Sequence, residues 1–334
     1  MDRTVTVVGA GSIGVAFSVL FAKAGFNVRL WDAFPDALPR ARRELTERLN
    51  VLEDNGLLDE QIATITERVS CHTILLEALR GAELAQECAP ERLEVKKELF
   101  QQLGAYSDPG TVLASSSSAI VSSRFARSTP ASDRVLIAHP GNPPYLLPVI
   151  ELVPSEFTSE ATLEQAHRIY SEVGLKPVTV QKEVEGFIFN RLQGALLREA
   201  YCLLRDGVGS VEAIDGVVRD GLGRRWAFMG PFETVDLNTR GGIASHAEKM
   251  GPAYARMGAE RGQHDPWTAD LVASADAQLR GRLPLDEWAE RVQWRDEQLM
   301  RLSQLLDRTD ERTASPMVPP AATSRNLAGG TASR

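Results

Sequence analysis

The sequence predicts an α/β protein, a doubly wound and mostly parallel sheet followed by an all-α C-terminal portion. Three observations predict it. Short apolar runs alternate with amphipathic segments through roughly the first half of the chain, the pattern of a parallel sheet covered by helices on both faces. A glycine-rich turn joins the first apolar run to the first amphipathic segment. Strand signals stop near residue 183, and apolar residues then recur at helical spacing.

Taken in order, "TVTVV" (4–8) reads as a short buried strand, and a helical pattern runs from the glycine turn to about Ala24. "NVRLWD" (27–32) is a second strand that ends in an acid, and an amphipathic stretch follows from about Asp36 to Asn50. Further strand-like runs are "GAELAQEC" (81–88), "GTVLASS" (110–116), "RVLIAH" (134–139) and "VIELV" (149–153), with "RLEVKKELFQQL" (92–103) as a helix among them. Beyond residue 183, "FIFNRLQGALLREAYCLLRDG" (187–207) is helical and ends at glycine. Helices then continue to about Leu306, with breaks expected near Gly230-Pro231, Gly251-Pro252 and Pro266. The Pro-, Ala-, Ser- and Gly-rich tail from about Arg312 is expected to be disordered. The organisation read from this is 1–183, 184–311 and a tail 312–334.

The whole chain narrows the function classes. With 334 residues, a net charge of −8 and no long basic run, it is a poor partner for nucleic acid or an anionic membrane. No apolar stretch is long enough to cross a bilayer, and the N-terminus enters a strand at once instead of forming a signal peptide. Cys71, Cys88 and Cys202 are too scattered for a disulfide framework or a zinc site, so a cytoplasmic location without a metal is expected.

"VVGAGSIG" places Gly9, Gly11 and Gly14 in the G-x-G-x-x-G spacing, after a strand and at the start of a helix. Such glycines permit a tight turn, close approach of a pyrophosphate, and close packing of helix on strand. The helix beginning at Ser12 and Ile13 then offers free N–H groups to the phosphates. Asp32 closes the second strand, where a carboxylate accepts hydrogen bonds from the adenosine ribose and repels a 2′-phosphate. The reading is a Rossmann-type domain that binds NAD in preference to NADP.

His139 stands at the end of an apolar run, before Pro140, and Glu151 lies in the next apolar run. A carboxylate among apolar neighbours needs a partner. An imidazole across a tight connection supplies one, and the pair then suits a base that removes a hydroxyl proton. On spacing alone, a structural histidine with a capping glutamate is an equal reading.

Together these stretches resemble the 3-hydroxyacyl-CoA dehydrogenase superfamily, from residue 3 to about 240. "CAPERLEVKKELF" resembles the family's cofactor-side segment, and the resemblance implies Glu91 and Lys96 near the nicotinamide ribose. "ASSSSAI" resembles a serine-rich stretch whose later serine contacts the substrate oxygen, implying Ser118. "AHPGNPPYLLPVIELV" corresponds to the family's His-Phe-Phe-Asn-Pro segment, implying His139 as base and Glu151 as its partner. "EGFIFNRL" implies Asn190 as a second polar contact to the reacting oxygen. The resemblance also implies a helical domain that carries substrate contacts and forms a homodimer.

"DGLGRRWAFMGPFETVDLN" (220–238) resembles the lambda-crystallin branch, which includes L-gulonate 3-dehydrogenase, and its centre also resembles L-carnitine 3-dehydrogenase. Both act on free 3-hydroxy acids. A free carboxylate suits a bidentate guanidinium, and Arg225 is the candidate clamp, with a local pairing to Asp220 as the alternative. Segment 40–67 has arginines but no lysine, and more acids than bases, a poor site for CoA phosphates. Trp226, Phe228 and Tyr145 could line an aromatic cage for a trimethylammonium, although the first two also suit the helical core. The expected activity is NAD-dependent oxidation of a small L-3-hydroxy acid, L-gulonate first. The alternatives are L-carnitine, 3-hydroxyacyl-CoA such as 3-hydroxybutyryl-CoA, and a non-enzymatic, crystallin-like NAD-binding role.

Overall fold

In β1 (Thr4–Val8), Val5, Val7 and Val8 have no exposed surface, and Thr6 between them is buried as well. The Thr6 hydroxyl donates to the Ala78 carbonyl at 2.6 Å, so its polar atom is satisfied away from water. Burial on both faces is what a sheet sandwiched by helices demands. The computed structural model describes residues 3–240, 242–261, 268–281 and 284–314 and builds that sheet from eight strands. The others are β2 (Asn27–Trp31), β3 (Val69–His72), β4 (Leu84–Glu87), β5 (Val112–Ser115), β6 (Val135–Pro140), β7 (Val149–Pro154) and β8 (Lys176–Thr179).

The strand order is β3-β2-β1-β4-β5-β6-β7-β8. The chain winds outward from β1 to β3 and then crosses back to β4, on the other side of β1. The ends of β1 and β4 therefore flank the point where the winding reverses and an open sheet leaves a crevice. All pairs are parallel except β6 with β7. The connection 141–148 is too short for a crossover helix, so the chain folds back, and His139 becomes the direct cross-strand partner of Glu151.

Alternate residues of each strand face two apolar clusters. Val5, Val7, Val112, Ala114, Leu136 and Ala138 join Phe17, Phe21, Leu45, Leu49 and Tyr170, from the helices Ser12–Lys23, Ala37–Asp54 and Glu160–Glu172. Val8, Leu113, Val135 and Ile137 join Leu99, Phe100 and Leu103 of the Leu93–Tyr106 helix, with Phe125 and Phe187. Each buried phenylalanine contributes about 1.5–3 kcal/mol by leaving water. β3 and β8 carry no sequence signal because they are short edge strands whose side chains are mostly exposed.

Past β8 no strand occurs among the described residues. Helices cover Phe189–Arg205, Val211–Val217, Gly223–Trp226, Pro231–Asn238, Gly242–Ala259, Ala269–Arg280 and Trp288–Ala314. The break expected at Gly251-Pro252 is absent: the helix continues through Pro252, which gives up one internal hydrogen bond there. The break near Pro266 falls outside the described residues. The last helix runs past Arg312 to Ala314, and the rest of the expected disordered tail lies outside the described residues.

Two features of this half are not readable from its pattern. Among the described residues from Phe189 to Gly281, only Cys202 and Thr234 are buried. Trp226 and Phe228, suited to a helical core by sequence, are 40% and 59% exposed instead, because these helices enclose almost no interior of their own. Secondly, the Trp288–Ala314 helix turns back onto the sheet-bearing half. Met300 is buried in the cluster of Leu45 and Leu49, and Gln304 Nε2 donates to the Asn55 carbonyl at 2.6 Å. Among the described residues no helix is long and apolar enough to cross a membrane.

Candidate active site

At the end of β1 the chain turns sharply, and Gly9 adopts φ +113°. A Cβ there would lie 2.9 Å from the Cys88 carbonyl oxygen, and one on Gly14 would lie 1.8 Å from the Gly9 carbonyl oxygen. Glycine is required at both positions, the first for its backbone and the second for the approach of the helix. At Gly11 a Cβ would meet nothing within 4 Å, so the space in front of the helix is open. Gly11 caps that helix without a side chain, leaving the N–H groups of its first turn, Ser12 and Ile13 included, without helical partners.

Arg48 reaches this end from the Ala37–Asp54 helix, its guanidinium donating to Ser12 Oγ at 2.7 Å and to the Ser12 carbonyl at 3.1 Å. Asp32 accepts from Ala10 N at 2.7 Å and from Phe34 N at 2.8 Å, one bond on each carboxylate oxygen. Each oxygen keeps a lone pair for a ribose hydroxyl. An open glycine space, an uncapped helix start, a guanidinium alongside and a carboxylate at the end of β2 fit a diphosphate joined to a ribose diol. The set fits NAD.

Across the sheet, His139 Nδ1 lies 2.8 Å from Glu151 Oε2, with both side chains almost fully buried. The other oxygen of Glu151 accepts from Ile188 N at 2.7 Å and Phe189 N at 3.0 Å, at the start of the Phe189–Arg205 helix. A carboxylate can only accept, so Nδ1 carries the proton of the pair and Nε2 keeps its lone pair. The helix start is aimed by two successive left-handed residues, Gly186 at φ +76° and Phe187 at φ +49°. For Phe187 this conformation costs on the order of 1–3 kcal/mol. Full burial of its ring in the second apolar cluster offsets that cost. Phe187 and Phe189 set their rings 5.6 and 6.0 Å from the imidazole, fixing its plane.

Ser118 is exposed at the end of the serine run after β5, and its hydroxyl makes no hydrogen bond among the described residues. Its carbonyl accepts from Asn190 Nδ2 at 3.0 Å, which ties the serine loop to the same helix start that Glu151 holds. Glu91 grips the loop from behind: Oε1 accepts from Ser117 Oγ at 2.6 Å and from the N–H groups of Ser118, Ala119 and Ile120 at 3.1–3.2 Å. Burial raises the Glu91 pKa, but Ser117, the Lys96 charge and the backbone donors outweigh it and hold the carboxyl below the ordinary range.

The structure thus brings Ser118, His139, Glu151 and Asn190 into one hydrogen-bonded neighbourhood, and Gly9, Gly11, Ser12, Ile13, Gly14 and Asp32 into another. Lys96, expected near the nicotinamide ribose, has no exposed surface, and its ammonium lies 2.9 and 3.0 Å from the two oxygens of Glu87. A buried ammonium must be paired, and Glu87 at the end of β4 is its partner. Of Glu91 and Lys96, only Glu91 keeps exposed side-chain surface.

Arg225 sits exposed on the Gly223–Trp226 helix, and no hydrogen bond or ion pair joins it to His139, Ser118 or Asn190. Asp220, its alternative partner, pairs with Arg219 at 2.7 Å and lies 4.0 Å from Arg224. Tyr145 lies beneath the Arg48 guanidinium and against the Trp288–Ala314 helix, and among the described residues it makes no ring contact to Trp226 or Phe228, so these three do not form a cage.

Sequence reasoning missed Glu87, Ser115, Ser117 and Arg48. Glu87 has the same signature that singled out Glu151, an acid at the end of a buried strand, and could have been found by it. Arg48 is one arginine among several on an amphipathic helix, and nothing in its spacing marks it.

Comparison with known proteins agrees with this architecture. Residues 4–184 match the 3-hydroxyacyl-CoA dehydrogenase NAD binding domain, and residues 186–279 match the C-terminal domain of the same family. Rabbit (Oryctolagus cuniculus) lambda-crystallin is 37% identical over 309 residues, covering 90% of this chain and 95% of that protein. An L-carnitine dehydrogenase of Streptomyces coelicolor is 37% identical over 294 residues, covering 86% of this chain and 91% of its own. Among solved structures, an NAD+-dependent dismutase, 5-formyl-3-hydroxy-2-methylpyridine 4-carboxylic acid 5-dehydrogenase, superposes with a TM-score of 0.78 at 26% identity, covering 92% of this chain and 99% of the other. With a nucleotide cradle that fits NAD and both family domains in sequence, the chain belongs to the 3-hydroxyacyl-CoA dehydrogenase family, as an NAD-dependent dehydrogenase acting on CH–OH.

Proposed function

We propose that this chain oxidises a small L-3-hydroxy acid, with L-gulonate as the leading substrate, to the corresponding 3-oxo acid. The observation that carries the reading is the His139–Glu151 pair, tied through Glu151 to the helix start that bears Asn190. NAD, held by the Gly9–Gly14 turn and Asp32, would supply the hydride acceptor. His139 Nε2 takes the hydroxyl proton as the carbon gives up its hydride, and returns it in the reverse direction. Glu151 holds the tautomer that leaves Nε2 free and stabilises the imidazolium that forms. Ser118 Oγ and the second N–H of Asn190 hydrogen-bond the reacting oxygen as its charge changes.

Arg225 is proposed as the clamp for the substrate carboxylate. Its support is that the neighbouring carboxylate is already taken by Arg219 and Arg224, so its own charge is uncommitted among the described residues. We also propose a homodimer formed through the helices after residue 188. Leu192, Val208, Val217, Phe232 and Leu237 are each more than half exposed there, and a second copy is the occupant that would bury them.

The test is NADH formation by purified protein at mildly alkaline pH, with L-gulonate, L-carnitine, L-3-hydroxybutyrate and L-3-hydroxybutyryl-CoA. Turnover of free acids that collapses in Arg225→Met supports the reading. Turnover of the CoA ester alone, indifferent to that substitution, replaces it with a 3-hydroxyacyl-CoA dehydrogenase. NAD binding without turnover of any of them points to a crystallin-like role.

A further inference from the structure

The proposed chemistry makes no use of the charges buried behind Glu91. Glu87, Lys96 and Ser115 have no exposed surface, yet two of them are ionisable; Glu87 and Ser115 end β4 and β5, and the Lys96 ammonium meets them there. Lys96 extends from the Leu93–Tyr106 helix, with its ammonium 2.9–3.0 Å from both Glu87 oxygens, 3.4 Å from Glu91 Oε2 and 3.4 Å from Ser115 Oγ. Glu87 also accepts from Ala89 N at 2.7 Å and from the Ser115 hydroxyl, joining the ends of β4 and β5. Ser115 Oγ in turn accepts from Ser117 N at 3.2 Å.

We propose that Glu87 is a positioning residue of this site: acting through Lys96, it fixes the Glu91 carboxylate that holds the Ser118–Ile120 backbone, and so sets where Ser118 presents its hydroxyl. The inference rests on the reading above that Ser118 contacts the reacting oxygen. Its physical basis is the division of one buried cation between two carboxylates. Lys96 is neutralised at short distance by Glu87 and only touched by Glu91 at 3.4 Å, which leaves Glu91 Oε1 to the four donors of the serine loop. With the charge of Glu87 removed, Glu91 is the one remaining anion in contact with a buried ammonium. It is drawn onto Lys96 and away from the loop, because an unpaired buried ion is the costlier alternative.

A merely structural pair would behave differently. Replacing both members of a buried ion pair by uncharged groups of similar volume commonly preserves stability. The proposal therefore separates stability from placement of the loop. The experiment compares Glu87→Gln, Lys96→Met and the double variant Glu87→Gln/Lys96→Met. It measures amide hydrogen exchange across residues 116–121, with β1 as internal reference, alongside kcat and the KM for NAD. In Glu87→Gln, exchange at 118–120 should rise about tenfold or more as the backbone donors lose Glu91. Turnover should fall about 10- to 100-fold with the KM for NAD little changed, because the oxygen contact moves while the cradle stays.

The double variant removes the ammonium along with the charge of Glu87, so nothing draws Glu91 off the loop: exchange at 118–120 and kcat should return towards wild type, and Lys96→Met should lose stability with exchange there unchanged. If Glu87→Gln does not fold, these two variants decide the matter. Raised exchange at 118–120 in either of them, in protein that still melts cooperatively, overturns positioning through Lys96, as does folded Glu87→Gln with unchanged exchange. Exchange reads the loop without any substrate, so a wrong choice of hydroxy acid leaves that arm intact.

Discussion

Glu151 holds His139 with one carboxylate oxygen, at 2.8 Å from Nδ1, and with the other accepts the N–H groups that open the next helix. The two residues face each other directly in the one antiparallel pair of the sheet. Imidazole orientation and helix placement thus depend on one carboxylate, and because Asn190 lies in that helix, so does the contact to Ser118.

His139→Gln should lower kcat by about 10²–10⁴ by removing the base. Binding of NAD, followed by quenching of tryptophan fluorescence, should stay within a few-fold of wild type. Weakened NAD binding of the same size as the loss in kcat would place His139 in the cradle instead.

Glu151→Gln should reduce turnover and also destabilise. A carboxamide cannot accept from His139 and from two backbone N–H groups at once, so one side keeps an unanswered donor at a cost of about 1–3 kcal/mol. Thermal melting should drop by several degrees, and unchanged melting would remove the capping role.

Asp32→Ala should raise the Kd for NAD about 10- to 100-fold, from the lost ribose bonds and the loosened Ala10 turn. It should also narrow the preference for NAD over NADP, since the charge that repels a 2′-phosphate is gone. Titration with both nucleotides checks this, and an unchanged ratio would show that Asp32 does not set the choice.

The low pKa of Glu91 has a definite sign for stability. Its folded value lies below the unfolded one, so it stabilises above the unfolded pKa and loses that contribution as pH falls through the folded value. The melting difference between wild type and Glu91→Gln should therefore be full near neutrality and shrink below about pH 4. Melts across that range test it, and a constant difference would mean that the carboxylate charge is not what holds the serine loop.

Phe232→Asp separates a dimer from a monomer. Phe232 is 77% exposed in the single chain, where such a change should alter stability by less than about 0.5 kcal/mol. If a second copy covers it, the wild type sediments as a dimer, and the variant dissociates and melts earlier. A wild type that sediments as a monomer at all concentrations would discard the dimer.

Much of the site could be read from the chain because its physics is local. Gly9 must adopt positive φ, Gly14 must admit a passing backbone, and Asp32 must end the strand beside them, all within one strand-turn-helix-strand unit. His139 and Glu151 were legible for a related reason, since a short connection between two apolar runs leaves little freedom in how they pair. Lys96 was not. Whether a lysine on an amphipathic helix meets solvent or the interior depends on how that helix lies against strands far away in sequence, and here it turns inward to Glu87. The edge strands β3 and β8 were invisible because one neighbouring strand, and not their own composition, makes them strands.

What the sequence determined by itself is what neighbouring residues impose on one another: the alternation of strands and helices, the nucleotide turn, and the acid after β2. What only the tertiary structure decided is the partnership of distant groups. Glu87 with Lys96, Glu91 with the serine loop, Arg48 with Ser12, and the final helix with the Ala37–Asp54 helix arise because burial forces polar and apolar groups to find complements wherever the packed sheet happens to place them.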